Sequence, residues 1–134
     1  MIKIGDVFSI QMDESNGITP KDGYPTRRKF FVVLGFDNEG YVYGGVVINS
    51  HVNYNLPDNI IDYQMPIKAS KYSFLRYDSF VNCSKLKVAT VEAISSSKLL
   101  GSIKSEDLNL IIGTVCESPN ESKIQLRRFG LLKS

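Results

Sequence analysis

Apolar positions set the first expectations. Ile2, Ile4, Phe8 and Ile10 share one parity, which predicts an opening strand over residues 2–10 with Asp6 beside a turn at Gly5. Residues 30–36 (FFVVLGF) are nearly all apolar and suit a central strand buried on both faces. Asp37-Asn38-Glu39-Gly40 reads as a turn with Gly40 at positive φ, and residues 41–49 (YVYGGVVIN) as the returning strand. Gly44-Gly45 within that strand predicts a bulge or bend. Met65-Pro66-Ile67 reads as a short edge strand, since proline cannot donate to a ladder. Residues 79–94 (SFVNCSKLKVATVEAI) read as a long strand or a strand pair of uncertain register, because neither parity is cleanly apolar.

The period changes once. Leu108, Ile111, Ile112 and Val115 fall on one helical face, predicting a helix over 105–117 with Ser105 as N-cap, Glu106 and Asp107 in the first turn, and Pro119 as the stop. The tail from Ser118 reads as one or two more helical turns, with Ile124, Leu126 and Phe129 as anchors. Two polar segments, 11–26 and 51–63, separate the strands, and loops of that length in a small domain are usually functional or mobile. Many short strands followed by helix predict one mostly β domain over residues 1–134: a small antiparallel barrel with a C-terminal helix.

Composition narrows the chemistry. The 43% apolar and 22% charged content is that of an ordinary globular chain. The net charge of +2 is too small to imply nucleic acid, but the cations are clustered at Arg27-Arg28-Lys29, Lys68–Lys71, Lys85 and Lys87, and Arg127-Arg128. Cys83 and Cys116 lie far apart in apolar patterns with no metal-ligand spacing, so neither a metal nor another cofactor is expected, and a reducing compartment is. No apolar run reaches membrane-spanning length and the N-terminus has no signal-peptide pattern, so the expectation is a cytoplasmic protein without a membrane partner.

Antiparallel pairing of the two central strands brings residues 27–29 beside 48–51. Basic and polar groups then converge on one mouth, which reads equally as the solvated ends of a hairpin. The single histidine, His51, sits there, and imidazole titrates near neutral pH. Asp6 and Asp78 are candidates for orienting a base, and tyrosines 24, 41, 43, 54, 72 and 77 for stacking against unpaired bases, although most of these read as half-buried sheet residues.

Three stretches, in order, carry a resemblance. IKIGDVFSI, RRKFFVVLGFDNEGYVYGGVVINS, and SFVNCSKLKVATVEAISSSKLLGSIKSEDLNLIIGTV resemble the opening strand, central hairpin and closing segment of the MazF/Kid/PemK toxin family. The resemblance covers about residues 1–117, with the tail from Ser118 lying outside it. It implies an SH3-like barrel, a homodimer, a small antitoxin partner and metal-free cleavage of single-stranded RNA by attack of a ribose 2′-hydroxyl on the adjacent phosphate. The family's arginine at the start of the hairpin maps onto Lys29, and its threonine at the end onto Asn49 with Ser50 next. Under that reading Arg27, Arg28 and Lys29 neutralise the phosphate, while Asn49, Ser50 and His51 position or deprotonate the hydroxyl. Lys21, Tyr24, Tyr54 and the two loops contact the strand. The two departures, lysine for arginine and asparagine for threonine, keep a second reading open: a non-catalytic module on the same barrel that recognises nucleic acid or a protein.

Overall fold

The computed structural model describes residues 1–133. Six strands form one antiparallel sheet: β1 (Asp6–Met12), β2 (Arg27–Phe36), β3 (Val42–Asn49), β4 (Gln64–Ile67), β5 (Ser79–Thr90) and β6 (Lys98–Ser102), in the order β4-β5-β3-β2-β1-β6. Four helices accompany them: α1 (Asp58–Ile61), α2 (Val91–Ser95), α3 (Ser105–Glu117) and α4 (Lys123–Arg128). The chain is therefore mostly β with a C-terminal helix, as the patterning predicts. β4 and β6 are the sheet's two edges. None of the helices among the described residues is long and apolar enough to cross a membrane.

Apolar side chains on both faces of the central strands explain why β2 reads as a continuous apolar run. Val32 and Leu34 join Val7, Val46, Val81 and Cys83 under α3 and α4, whereas Phe31 and Val33 join Phe8, Ile10, Val47 and Ile94 on the other face. Val7 and Phe8 thus both go inward, and β1 has no wet parity for most of its length. Gly5, at φ +96°, turns the chain before Asp6, so the strand starts later than residue 2 and Ile4 is left exposed.

The ladders slip at Val33/Gly35 between β2 and β3, and at Gly45/Val47 between β3 and β5. These are the bulges that the glycine pair predicts. A Cβ on Gly44 would lie 2.6 Å from the Phe129 ring, and one on Gly45 would lie 2.0 Å from the Val32 carbonyl oxygen. The bare backbone lets the tail helix sit directly on the sheet.

The tail after residue 117 packs into the core of the domain. Leu126 and Phe129 are fully buried in the main core, while Ile124, expected as an anchor, is exposed. Glu121 ties the tail down: its Oε1 accepts from the Leu86 N–H and its Oε2 from the Ser122 N–H, both at 2.8 Å. Two further boundaries differ. Thr90 ends β5 by capping α2, its Oγ1 accepting from the Ala93 N–H at 3.1 Å, so VEAIS is helix rather than strand. Ser105 is the first residue of α3 and Lys104 occupies its N-cap position. Both cysteines are free.

Candidate functional site

The hairpin closes as antiparallel pairing demands. Phe30 pairs with Ile48 and Phe31 with Val47, which brings Lys29 opposite Asn49. Lys29 Nζ donates to Asn49 Oδ1 at 2.7 Å. A cleft of about 840 Å³ opens over these strand ends. Its walls include Lys21, Arg27, Arg28, Lys29, Asn49, Ser50 and His51, seven of the nine residues singled out from the sequence. Tyr24 and Tyr54 are exposed on the flanking loops and do not line it.

The same walls hold Arg76 and Lys87, which makes six cationic side chains with Lys21 and Arg27 to Lys29, and no carboxylate among the described lining residues. That asymmetry has a measurable consequence. Burial, reinforced by the charges of Arg27, Lys21 and Lys87, pushes the Lys29 ammonium down to about 8. Burial, then the charge of Lys85, also lowers Lys87, although Glu121 pulls the other way. Cations that repel each other in a partly dry cleft form a standing demand for an anion.

Strand parity separates the three basic residues at the start of β2. Arg27 and Lys29 share a face with Phe31, whereas Arg28 shares one with Phe30. Arg28 Nη1 donates to Ser9 Oγ at 3.1 Å, so its guanidinium is drawn to the face opposite Lys29. Sequence adjacency cannot show this; alternation along a strand can. Arg27 contacts the Thr19 carbonyl at 3.4 Å and thereby faces the 13–26 loop.

That loop is fixed rather than loose where it meets the cleft. Asp13 and Asn16 form a reciprocal cap, and Asn16 Nδ2 donates to the Val88 carbonyl at 2.8 Å. Gly17, at φ +93°, packs against the Lys87 stem: a Cβ there would lie 3.2 Å from Lys87 Cδ. On the opposite lip, the segment between β4 and β5 contributes Phe74, Leu75, Arg76 and Tyr77.

Asp6 and Asp78 have structural partners. Asp6 accepts from the Lys3 N–H and from Ser102 Oγ, and Asp78 from the Ala69 N–H. Neither residue lines the cleft. Of the six tyrosines, Tyr72 is buried, and Tyr24, Tyr41, Tyr54 and Tyr77 are largely exposed, more than the sheet pattern suggests. Only Tyr77 of these borders the cleft.

Arg76, Asn82 and Gln64 are lining residues that sequence reading does not single out, and Tyr77 is the one stacking candidate from the sequence that reaches the cleft. Lys87 was visible as part of a basic pair, but its face depends on the bulged register between β3 and β5. Among the described residues, no cluster of three or more His, Cys, Asp or Glu side chains could hold a metal ion. Scans of the chain against protein-family models and against curated proteins find no match.

Proposed function

We propose that the cleft binds single-stranded RNA and that the chain is a toxin-like endoribonuclease of the MazF/PemK type, using its own cations in place of a metal. The observation that supports this reading most is the cleft itself: five cationic side chains besides Arg28, which Ser9 draws to the opposite face, no lining carboxylate, and Lys29 held against Asn49 at 2.7 Å. Lys21, Arg27, Arg76 and Lys87 would bind the backbone phosphates and stabilise the extra charge of the phosphorane. His51 would accept the 2′-hydroxyl proton as that oxygen bonds to phosphorus. Lys29, pushed down to about 8, remains charged at neutral pH yet parts with its proton more readily than an ordinary lysine, so it would protonate the departing 5′-oxygen. Asn49 orients that ammonium. By the resemblance, the active form is a homodimer restrained by a small antitoxin.

The test is incubation of the purified protein with single-stranded RNA in chelator. Cleavage is expected, with loss in Lys29→Met and in a substrate carrying 2′-deoxyribose at the cut. Cleavage that survives Lys29→Met, or none at all, sinks the nuclease reading.

One observation favours a non-catalytic binding module: the family's hydroxyl-bearing position is here Asn49, whose carbonyl oxygen is already engaged by Lys29. Under this reading RNA is retained without turnover, and binding assays return a complex where cleavage assays return intact strand.

A further inference from the structure

Three of the four amide-bearing residues that line the cleft form one slanting row across three strands. Gln64 on β4 is paired with Asn82 on β5, Asn82 is paired with Val47 on β3, and Asn49 lies two residues further along β3 on the same face. An amide's oxygen and nitrogen are told apart by their partners. Here the partners leave no ambiguity. Gln64 Nε2 donates to the Ile60 carbonyl at 3.1 Å and to Asn82 Oδ1 at 2.9 Å, and a carbonyl can only accept. Asn82 Oδ1 also receives the Ser84 N–H at 3.2 Å and Ser84 Oγ at 2.6 Å. Asn49 Oδ1 faces the Lys29 ammonium, which can only donate.

Each amide therefore has one end committed to the protein and one end without a partner among the described residues: Gln64 Oε1, Asn82 Nδ2 and Asn49 Nδ2. No side-chain nitrogen or oxygen sealed from solvent among the described residues is left without a hydrogen bond, so these ends keep contact with solvent, and all three residues line the cleft. In strand order the row presents acceptor, donor, donor. Tyr77, 64% exposed, stands at the same cleft with a ring face available for stacking.

We propose that this row reads the edge of one unstacked nucleobase, and that its order selects cytosine. The inference rests on the RNA-binding reading above. Cytosine offers its amino N–H, then N3, then O2: donor, acceptor, acceptor, the complement of Gln64, Asn82 and Asn49. Uracil reverses the first two groups, placing O4 against Gln64 Oε1 and N3–H against Asn82 Nδ2. Two like polarities then meet in a partly dry cleft, where an unmade hydrogen bond is costly. Single-stranded RNA is open to this kind of reading because its bases can be splayed onto aromatic rings and bonded along that edge.

The experiment uses the full chain and 2′-O-methyl oligocytidine and oligouridine, which the proposed chemistry cannot cut. Oligocytidine is expected to bind roughly tenfold or more tightly. Asn82→Asp keeps the oxygen that Gln64 and Ser84 bond to and turns the free donor into an acceptor, so the preference should collapse toward one. Asn49→Asp reverses the group facing O2, which both bases carry, so it should weaken both oligomers and leave their ratio in place. Equal binding of the two oligomers by the unmodified chain, or a ratio unmoved by Asn82→Asp in a variant that melts like its parent, overturns base reading while leaving RNA binding intact. Absence of binding to either oligomer overturns both.

Discussion

Lys29 donates to Asn49 across the β2–β3 pair at 2.7 Å, and the same ammonium is pushed down to about 8 by burial and by its cationic neighbours. The ordinary lysine value is 10.5. Between about 8 and 10.5 the unfolded chain therefore holds a Lys29 proton that the folded chain has released. Stability from this group rises with pH through that window, and below it the folded state carries the cost of a partly desolvated charge. On the proposed function RNA affinity should have the opposite sign, because the cleft loses a cation as pH passes 8. Lys29→Arg keeps the charge and does not titrate in this range, so its affinity should fall less from pH 7 to 9.5 than the parent's, with the lowered Lys87 accounting for what fall remains. Fluorescence-anisotropy titrations across that range decide it, and a parent curve as flat as that of Lys29→Arg would show that Lys29 does not titrate there.

The cations also set a salt dependence. Single strands lose affinity with a slope of about −0.7 in log K against log salt for each phosphate neutralised. Arg27→Ala, Arg76→Ala and Lys87→Met should each shallow the slope by roughly that amount. Arg28→Ala should shallow it less, because Ser9 holds the Arg28 guanidinium toward the opposite face. An Arg28 effect as large as that of Arg27 would mean that the Ser9 bond breaks when RNA binds.

How much of this was legible in the sequence depends on how local each signal is. The hairpin was legible because both faces of residues 30–36 are apolar and Gly44-Gly45 marks the bulge. Convergence of Lys29 on Asn49 followed from pairing geometry alone. Asn82 and Gln64 are not legible as a pair, because their pairing depends on β4 being the neighbour of β5, and the placing of Asn82 relative to Asn49 depends on a register slip near Gly45. Phe129 reads as an anchor, but its seat on Gly35 and Gly44 lies more than 80 residues back along the chain. No periodicity reports a contact of that kind.

That seat gives a stability prediction. Phe129→Ala empties a fully buried ring site and should cost about 3–5 kcal/mol. Gly44→Ala pushes a methyl into the same ring, at 2.6 Å from Phe129 Cγ, and is destabilising in the parent. The two changes share one contact, so Gly44→Ala should cost less in a Phe129→Ala background than in the parent. Urea melts of the four proteins in this cycle measure the coupling, and strict additivity would mean that the tail does not rest on Gly44 in solution.

Asp107 links the cleft's outer lip to α3. Its Oδ2 accepts from the Tyr72 hydroxyl at 2.5 Å and pairs with Lys71 at 2.9 Å, while the Tyr72 oxygen accepts from the Lys104 N–H at 3.1 Å. Burial alone would raise the Asp107 carboxyl, but the Tyr72 and Lys71 contacts outweigh it and hold the group below its ordinary value of 3.8. A carboxylate depressed in the folded state contributes stability that is complete above 3.8 and is lost as pH falls through the folded value. Asp107→Asn removes the charge that Lys71 and Tyr72 bond to, which should cost about 1.5–3 kcal/mol at neutral pH. It should also flatten the acid limb of the stability curve below pH 4. The segment from Lys68 to Asp78 carries Phe74, Arg76 and Tyr77 to the cleft, so the same variant should weaken RNA binding more than its distance from the cleft would suggest. Tyr72→Phe provides the comparison: it deletes the hydroxyl's two hydrogen bonds, to Asp107 and from the Lys104 N–H, but keeps the Lys71–Asp107 ion pair, so it should leave more of the acid limb in place than Asp107→Asn does. If Asp107→Asn destabilised the chain with RNA affinity unchanged, the lip would be held in place without this link.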